Sequence, residues 1–377
     1  MTIRRVSADF EAEGLLDGVE GSAREARAQL LAQLHDDGVS LEELRTAVAE
    51  GRLVLLPVER VLEGDGRRYS LREIAELADV PVEYLARQRQ AIGLSVDDPD
   101  EKAGSEDDLG AAQRIRILLD AGLPEEGLLE VSRVIGISMS QLAAANRTLI
   151  ADAMVREGDT EYEIANRLAG AAKALQPLVG EVLDHALRLH VREQVRHDVM
   201  GGVAMTLDGQ GTEVTACFAD LVGFTRLGER LPVEALGAVT GRLNELAADV
   251  ATGAVRLVKL IGDGAMLVSA DNDALLEAAI ELVERAEADT DDDFPQIRAG
   301  VARGVAIARG GDWYGPPINT ASRISGAAYP SSVLVSEDVR DAASGPFSFS
   351  FAGERKLKGI SDRLKLYRLR RDDDASP

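Results

Sequence analysis

The sequence has very little cysteine and few aromatic residues. One cysteine, Cys217, stands among 377 residues, so no disulfide can form within a single chain. Aromatic residues make up only 4% of the chain, which leaves Ala, Leu and Val to fill most of the interior. Cys217 lies in an apolar run, and we predict that it is a small buried hydrophobic residue without a redox role.

Basic charge and long apolar runs are also scarce. The chain carries 42 Lys and Arg against 65 Asp and Glu, a formal net charge of −23, which disfavours broad binding to nucleic acid or anionic lipid. The start of the chain lacks the apolar core of a secretory signal, and no uninterrupted apolar run reaches the roughly 18 residues of a membrane span. We therefore predict a cytoplasmic protein with no membrane span and no nucleic-acid partner.

The first half of the chain has the pattern of a helical domain. Ala, Leu, Glu and Arg recur at helical spacing over residues 1–176, and Ser40 with Glu43 and Ser70 with Glu73 form Ser-x-x-Glu capping boxes. This pattern predicts helices joined by short turns.

Two segments are predicted to connect parts of the chain. Residues 95–110 are acidic, contain glycine and lack an apolar period, which predicts a solvated linker. Apolar residues at steps of three and four between Pro177 and Met200 predict a long connecting helix that ends before Gly201 and Gly202. We place this connecting helix and linker at residues 177–208.

The residue pattern changes in the last part of the chain, where β-forming runs appear. Residues 212–224, 253–270 and 296–308 are rich in β-forming residues and are separated by helical segments rich in Ala, Leu and Glu. Strands alternating with helices predict an α/β-type sandwich over residues 209–372.

Two carboxylates stand at the ends of predicted strands. Asp220 ends an apolar strand directly before a turn and a helix, and Asp263 lies in a Gly262-Asp263-Gly264 hairpin. Taken separately, an Asp ending a strand is most often a helix cap and a Gly-Asp-Gly is usually only a turn. Together they can share hard cations, because oxygen ligands suit Mg²⁺ or Mn²⁺.

A third segment adds an amide and a guanidinium. A Gly- and Pro-containing loop over residues 310–317 leads into a helix on which Asn319 and Arg323 are four apart and share one face. The pair suits a developing phosphate charge, although by itself it is also an ordinary solvated helix face.

The three segments together resemble the class III nucleotide cyclases. The family pattern is F-x-D-x-x-G-F-T, then K-x-x-G-D, then an Asp followed by an Asn seven residues later and an Arg four further. In this sequence the matching residues, in the same order, are Asp220, Lys259, Asp263, Asp312, Asn319 and Arg323. The resemblance covers about 160 residues, and it implies an α+β fold with a ferredoxin-like βαββαβ core behind an all-α regulatory domain.

The resemblance also implies roles for residues. It assigns two divalent metal ions to Asp220 and Asp263, with Leu221 beside them. It assigns the adenine of ATP to Lys259 and Asp312, and transition-state stabilisation to Asn319 and Arg323. Further substrate contacts fall on Phe224, Thr225 and Lys358, the last of which matches the family better than Lys356. Two copies would pair head to tail as a homodimer, each site taking its metal carboxylates from one subunit and its other residues from the partner.

The purine pair favours ATP over GTP. Lys259 can donate to adenine N1 and Asp312 can accept from the exocyclic amine, whereas guanine presents the reverse pattern. Some relatives carry a basic residue just after the position of Gly304; here Val305 stands there and Arg303 lies on the other side, which leaves the triphosphate contact open. A guanylate cyclase and a non-catalytic nucleotide-sensing module remain as alternatives.

The N-terminal half offers three further hypotheses. Residues 70–95 resemble a helix-turn-helix with Arg72, Arg87 and Arg89, but the acidic surroundings favour a structural helix pair over DNA binding. The layout resembles actinobacterial cyclases whose N-terminal helical domain is regulatory and often autoinhibitory. An apolar effector such as a lipid could occupy that domain, although periodic apolar residues normally only form a core.

Three of the four histidines lie in the predicted connecting helix. They are His185, His190 and His197, of which the last two are seven apart and share a face. Histidine has a pKa near 6.5 when unperturbed, so we predict that acidification shifts the chain between an inhibited and an assembled state. The alternative is that all three simply face solvent.

Overall fold

The computed structural model describes residues 10–64, 66–200, 211–290, 294–360 and 362–372. Side chains are described throughout these ranges except at residues 197–200 and 233–234. The chain divides into two compact units, Met1–Leu187 and Arg188–Pro377, which we describe separately. The predicted domain limits at residues 176 and 208 stay a prediction.

The described part of the first unit consists of helices and turns. The elements are α1 (Gly21–Asp36), α2 (Leu41–Ala49), a 3₁₀ turn (Leu53–Leu55), α3 (Leu56–Glu63), α4 (Leu71–Ala78), α5 (Val82–Ala91), α6 (Glu106–Asp120), α7 (Glu125–Met154) and the start of α8 (Glu161–Met200). Two clusters of buried side chains hold them together, one centred on Leu30, Leu31 and Leu44 and the other on Ile74 and Leu129.

Helix starts follow the predicted capping signals only in part. Ser70 and Glu73 form a reciprocal capping box at α4, as predicted. At α2 the Ser40 hydroxyl accepts a hydrogen bond from the Glu43 backbone N–H, and the structure gives no return bond from the Glu43 carboxylate. The first box satisfies two orphan backbone donors and the second satisfies one.

The predicted linker over residues 95–110 is wrong in its second half. Ser105 and Asp108 form a capping box, and α6 begins at Glu106. The backbones of Gly104 and Tyr69 also pair as an isolated β-bridge. Acidic residues are favoured in the first turn of a helix, because they face the positive end of its dipole, so this acidic run marks a helix start.

The start predicted for the connecting helix is also wrong. Helix α8 begins at Glu161, is described as far as Met200, and contains Pro177 in its interior. The end predicted before Gly201 lies outside the described residues. Its first turn is capped by Thr160, which exchanges hydrogen bonds with Glu163. A proline inside a helix is costly, but the helix-forming residues on both sides of Pro177 continue the helix through it.

Helix α7 has few buried residues. Only Leu129 and Ser132 are buried along its 30 residues, and apolar side chains such as Val131, Ile137 and Leu149 are more than half exposed. By length and composition alone, α7 is also one helix in the described ranges that could cross a membrane, with 17% of its apolar window buried. The expected absence of a membrane span therefore stays a prediction.

The second unit is built on one mixed sheet. Its described strands are β1 (Thr212–Leu221), β2 (Arg256–Ile261), β3 (Gly264–Ser269), β4 (Ile297–Arg309), β5 (Asp312–Tyr314), β6 (Ser332–Ser336), β7 (Phe347–Lys356) and β8 (Arg363–Arg371). Its described helices are α9 (Phe224–Leu227), α10 (Val233–Val250), α11 (Asn272–Glu287), α12 (Pro316–Ser325) and α13 (Glu337–Asp341).

The order of the strands confirms the predicted α+β class with a βαββαβ core. The sheet runs β2-β3-β1-β4-β6-β8-β7, and β5 pairs with the end of β4. Its first four strands are antiparallel and are connected through α10 and α11, while β6 joins β4 in parallel. The predicted site lies on this core, with β2 at one edge of the sheet and β5 forming a hairpin with the end of β4.

Side chains of β1 alternate between two cores. Cys217, Ala219 and Leu221 are buried with α10 and α11, and the burial predicted for Cys217 is confirmed. Val214 and Ala216 are buried on the other face with residues of α12. Because successive side chains of a strand point to opposite faces, Asp220 belongs to the face that α12 covers.

Candidate active site

The first carboxylate of the site is Asp220, the second-last residue of β1. It lies opposite Gly264 of β3 and Arg298 of β4. A Cβ added at Gly264 would lie 2.7 Å from Asp220 Oδ1, so glycine leaves the space that the carboxylate occupies. Asp220 does not cap the following helix, because Gly223 holds the N-cap position of α9.

The second carboxylate, Asp263, comes beside Asp220 through a tight hairpin. Gly262 and Asp263 form the two-residue loop between β2 and β3, and Gly262 has φ of 60°. Glycine at the first central position suits a type II′ turn, which matches the twist of the strands. The Leu221 backbone N–H donates to the Asp263 carbonyl at 2.9 Å, so the structure brings together the three predicted metal-site residues.

Burial dominates the electrostatics of Asp220. It raises the pKa of the Asp220 carboxyl above its ordinary value, and the charge of Asp263 raises that pKa further. A hydrogen bond from the Ser325 hydroxyl and the guanidinium of Arg298 act in the opposite direction and are outweighed. The site therefore holds negative charge that its own surroundings do not fully compensate.

The donor set fits Mg²⁺ or Mn²⁺ bound together with a nucleotide. No cluster of three or more Asp, Glu, His or Cys able to hold a metal occurs among the described residues. Asp220 and Asp263 alone would leave most coordination positions to water and phosphate oxygens. Mg²⁺ is usually bound in this manner, by one or two carboxylates together with substrate phosphates.

Lys259 and Asp312 form an ion pair across two strands. Lys259 Nζ on β2 contacts Asp312 Oδ2 at the start of β5, and Asp312 Oδ1 accepts a hydrogen bond from the Trp313 N–H at 2.8 Å. Both side chains stay partly exposed, at 37% and 24%. A cationic donor and an anionic acceptor therefore lie side by side where a ligand can reach both.

Helix α12 carries the amide and the guanidinium on its exposed side. Asn319 and Arg323 are exposed, whereas Ile318, Ala321 and Ile324 form the buried side of the helix. Ser325, which contacts Asp220, belongs to the buried side. One chain therefore directs Asn319 and Arg323 away from its own carboxylate Asp220.

Comparisons with known proteins match this chain to two family models and to several relatives. A model described as adenylate cyclase regulatory domain matches residues 8–195, and a model described as adenylate and guanylate cyclase catalytic domain matches residues 208–371. A solved adenylyl cyclase from P. aeruginosa aligns with 42% of this chain and 96% of its own, at 23% identity and a TM-score of 0.37. An adenylate cyclase of Streptomyces coelicolor is 31% identical over 74% of this chain and 73% of its own length.

A pH-sensitive adenylate cyclase of Mycobacterium tuberculosis is 38% identical over 97% of this chain and 94% of its own length. The chain belongs to the adenylate cyclase family. The resemblance drawn from the sequence pattern is thereby confirmed, both for the catalytic domain and for the N-terminal regulatory domain.

The remaining predicted substrate residues of the cyclase lie on α9 and in the loop after β7. Phe224 and Thr225 open α9; the Phe224 ring packs partly against the core and Thr225 is exposed. Lys358 is exposed in the loop between β7 and β8, and Lys356 is the last residue of β7. Arg303 donates to Thr215 Oγ1 at 3.1 Å and lies 3.3 Å from Glu213, so β1 already engages its guanidinium.

Sequence reasoning missed two residues of the cyclase site. Arg298 faces Asp220 across the β1–β4 pair, and Ser325 donates a hydrogen bond to the same carboxylate. The position of Arg298 depends on strand register, which the sequence does not reveal. Ser325 stands only two residues after Arg323, but its contact is visible only once α12 lies on the sheet.

The other predicted residues lie in the first unit and on α8, the helix that spans the boundary between the two units. His185 and His190 are exposed on α8, while the side chain of His197 lies outside the described part of the chain. The arginines of the predicted helix-turn-helix, Arg72, Arg87 and Arg89, form ion pairs with carboxylates of their own unit, Asp100, Glu126 and Asp108. These pairs leave their charge engaged within the unit and favour the structural interpretation of α4 and α5.

Proposed function

We propose that this enzyme converts ATP to 3′,5′-cyclic AMP and pyrophosphate at composite sites formed by two copies of the chain. The contact between Lys259 and Asp312 is the observation that supports ATP as the substrate. With a nucleotide bound, Lys259 would donate to adenine N1 and Asp312 would accept from the 6-amino group. Guanine presents a hydrogen at N1 and an oxygen at C6, so both groups would lose their partners, which can reject a substrate by up to about 10⁴-fold.

The need for a second copy is supported by the two sides of α12. Asn319 and Arg323 lie on the side opposite to Ser325, which contacts Asp220. A second chain related by a two-fold axis would present its own Asn319 and Arg323 to Asp220 and Asp263 of the first. The exposed apolar side chains of α7 supply further surface suited to pairing of two copies.

The side chains divide the chemistry between them. Asp220 and Asp263 would hold the divalent ions, which when bound supply activation of the ribose 3′-hydroxyl and neutralisation of the departing pyrophosphate. The Arg323 guanidinium and the Asn319 amide would stabilise the charge that develops at the α-phosphate. Phe224, Thr225 and Lys358 would contact the triphosphate side of the substrate.

Purified full-length chain with ATP and Mn²⁺ or Mg²⁺ tests the reaction. Cyclic AMP and pyrophosphate should form in equal amounts, and GTP should react far more slowly. Asp263→Asn should abolish product. Asp249→Asn should retain activity, because Asp249 is an exposed residue of α10 that only pairs with Arg285 of α11. Absence of cyclic AMP with both metals contradicts the proposal.

Mixing two inactive variants tests the composite site. Asp263→Asn removes a metal carboxylate and Arg323→Ala removes a transition-state group, so each homodimer lacks both sites. Random mixing places both defects in one of the two sites of a heterodimer and leaves its other site intact, which restores about a quarter of the wild-type activity. A mixture that stays inactive although the subunits exchange contradicts the shared site.

We further propose that pH regulates the enzyme through His185, His190 and His197 of α8. A relative aligned over nearly the whole chain is described as pH-sensitive, which supports this choice. His185 and His190 are exposed beside charged groups of the same helix, Asp184, Arg188 and Glu193. Replacing the three histidines by Gln should flatten the pH–activity profile between pH 5.5 and 8. A profile identical to that of the wild type contradicts the proposal.

A further inference from the structure

A buried hydroxyl connects the metal carboxylate to helix α12. Ser325 is the last residue of α12 and is 0% exposed, and its Oγ donates a hydrogen bond to Asp220 Oδ2. Ser325 is not among the six residues of the cyclase pattern. Its hydroxyl nevertheless contacts the Asp220 carboxylate directly.

Close backbone packing fixes the position of that hydroxyl. A Cβ added at Gly300 of β4 would lie 2.0 Å from the Ser325 nitrogen and 2.5 Å from the Ala321 carbonyl oxygen. The end of α12 therefore rests directly on the β4 backbone, with Ala321 and Ile324 fully buried beneath it. A helix held this closely leaves the Ser325 side chain little freedom to move away from Asp220.

Three elements surround the carboxylate, and each acts on it differently. Arg298 comes from β4, Asp263 from the hairpin loop and Ser325 from α12. Arg298 Nη1 also donates to the Gly326 carbonyl at 3.4 Å, one residue beyond Ser325. An ionised carboxylate has about four lone-pair directions, so one hydrogen bond from Ser325 leaves both oxygens able to bind a cation.

We propose that Ser325 is a positioning residue, which orients the Asp220 carboxylate for a divalent cation and couples that carboxylate to α12. The proposal rests on the proposed function, because it takes Asp220 to be a metal ligand. It adds a connection between the two sites of the dimer. The helix that supports the metal carboxylate of one site carries, on its opposite side, the Asn319 and Arg323 that act in the other site.

Mn²⁺ binding to the full-length chain, followed by electron paramagnetic resonance, tests the inference without requiring turnover. Ser325→Ala should weaken Mn²⁺ affinity by about 10-fold to 100-fold, as is usual when a partner of a metal ligand is removed. Ser325→Thr keeps the hydroxyl and should bind Mn²⁺ more tightly than Ser325→Ala. Ser332→Ala is the matched control, because it deletes another buried serine hydroxyl, which donates to the Tyr329 carbonyl.

The outcomes separate this inference from the function on which it rests. Wild-type affinity in Ser325→Ala overturns the positioning role, and so does an equal loss of affinity in Ser332→Ala, which would indicate general loosening. If Ser325→Thr binds Mn²⁺ as weakly as Ser325→Ala does, the result contradicts a role for the hydroxyl. A wild-type chain that neither binds Mn²⁺ nor forms cyclic AMP refutes the proposed function instead. Thermal unfolding of the metal-free variants verifies that each is folded.

Discussion

Replacing Gly300 by alanine should damage the site through a single methyl group. Gly300 lies in β4 beneath α12, and its added Cβ would lie 2.0 Å from the Ser325 nitrogen, whereas real Cβ contacts are essentially never shorter than 3.0 Å. Helix α12 must therefore retreat by at least about 1 Å, because the obstacle is backbone and cannot rotate away. That movement would separate Ser325 from Asp220 and displace Asn319 and Arg323.

The size of the effect can be worked out for both stability and rate. Overpacking of this kind costs about 1–3 kcal/mol, which lowers Tm by roughly 2–4 °C per kcal/mol in a unit of this size. A misplacement of about 1 Å at a catalytic group can cost on the order of 100-fold in rate. We therefore expect a folded protein with Tm lowered by several degrees and with kcat lowered much more than its stability alone explains.

Calorimetry and a cyclic AMP assay with Gly241→Ala as control measure the two effects. Gly241 lies in the interior of α10, and an added Cβ there meets nothing within 4 Å. Alanine at that position should stabilise the chain by about 0.5–1 kcal/mol, because it is the better helix former. If Gly300→Ala keeps both wild-type Tm and wild-type kcat, then α12 is not held against β4 as described.

Three further predictions concern other groups. Asp220→Asn should raise the Tm of the metal-free chain near neutral pH, because the folded-state pKa of Asp220 is raised and its ionised form is disfavoured in the folded chain. Unfolding scans with a chelator should show that the difference in Tm between the variant and the wild type disappears below the ordinary Asp pKa. Burial raises the pKa of Cys217 to about 12, so iodoacetamide at pH 8 should label it only after unfolding, and fast labelling of the folded chain would refute this. Ser70→Ala breaks a reciprocal capping box and should destabilise the first unit by about 1 kcal/mol, more than Ser40→Ala, as measured by urea unfolding.

Local patterns in the sequence were sufficient to predict the elements that carry the site. The run of β-forming apolar residues before Asp220 predicted β1, and the Gly262-Asp263-Gly264 sequence predicted the hairpin between β2 and β3. The four-residue spacing of Asn319 and Arg323 predicted their shared face on α12. Each of these inferences depends on residues close together in the chain, where periodicity and turn chemistry act directly.

The contacts between distant segments could not be predicted in this way. The register that sets Arg298 opposite Asp220 depends on the pairing of β1 with β4, and many registers satisfy the same apolar alternation. The packing of Ser325 against Asp220 depends on how closely α12 approaches Gly300. The presence of glycine at position 300 is consistent with a close approach, but sequence alone does not name the helix that makes it.

The two sides of α12 explain why the six residues of the cyclase pattern are all present in one chain and yet do not form a single site there. The buried side of the helix serves the sheet and, through Ser325, the carboxylate Asp220. The exposed side carries Asn319 and Arg323 away from that carboxylate. A rigid helix cannot turn both sides to the same place, so the roles proposed for Asn319 and Arg323 require another surface facing the exposed side. The geometry of a single helix thus makes pairing of two chains a requirement of the proposed chemistry, and it gives a regulatory domain a simple target, the relative position of the two catalytic units.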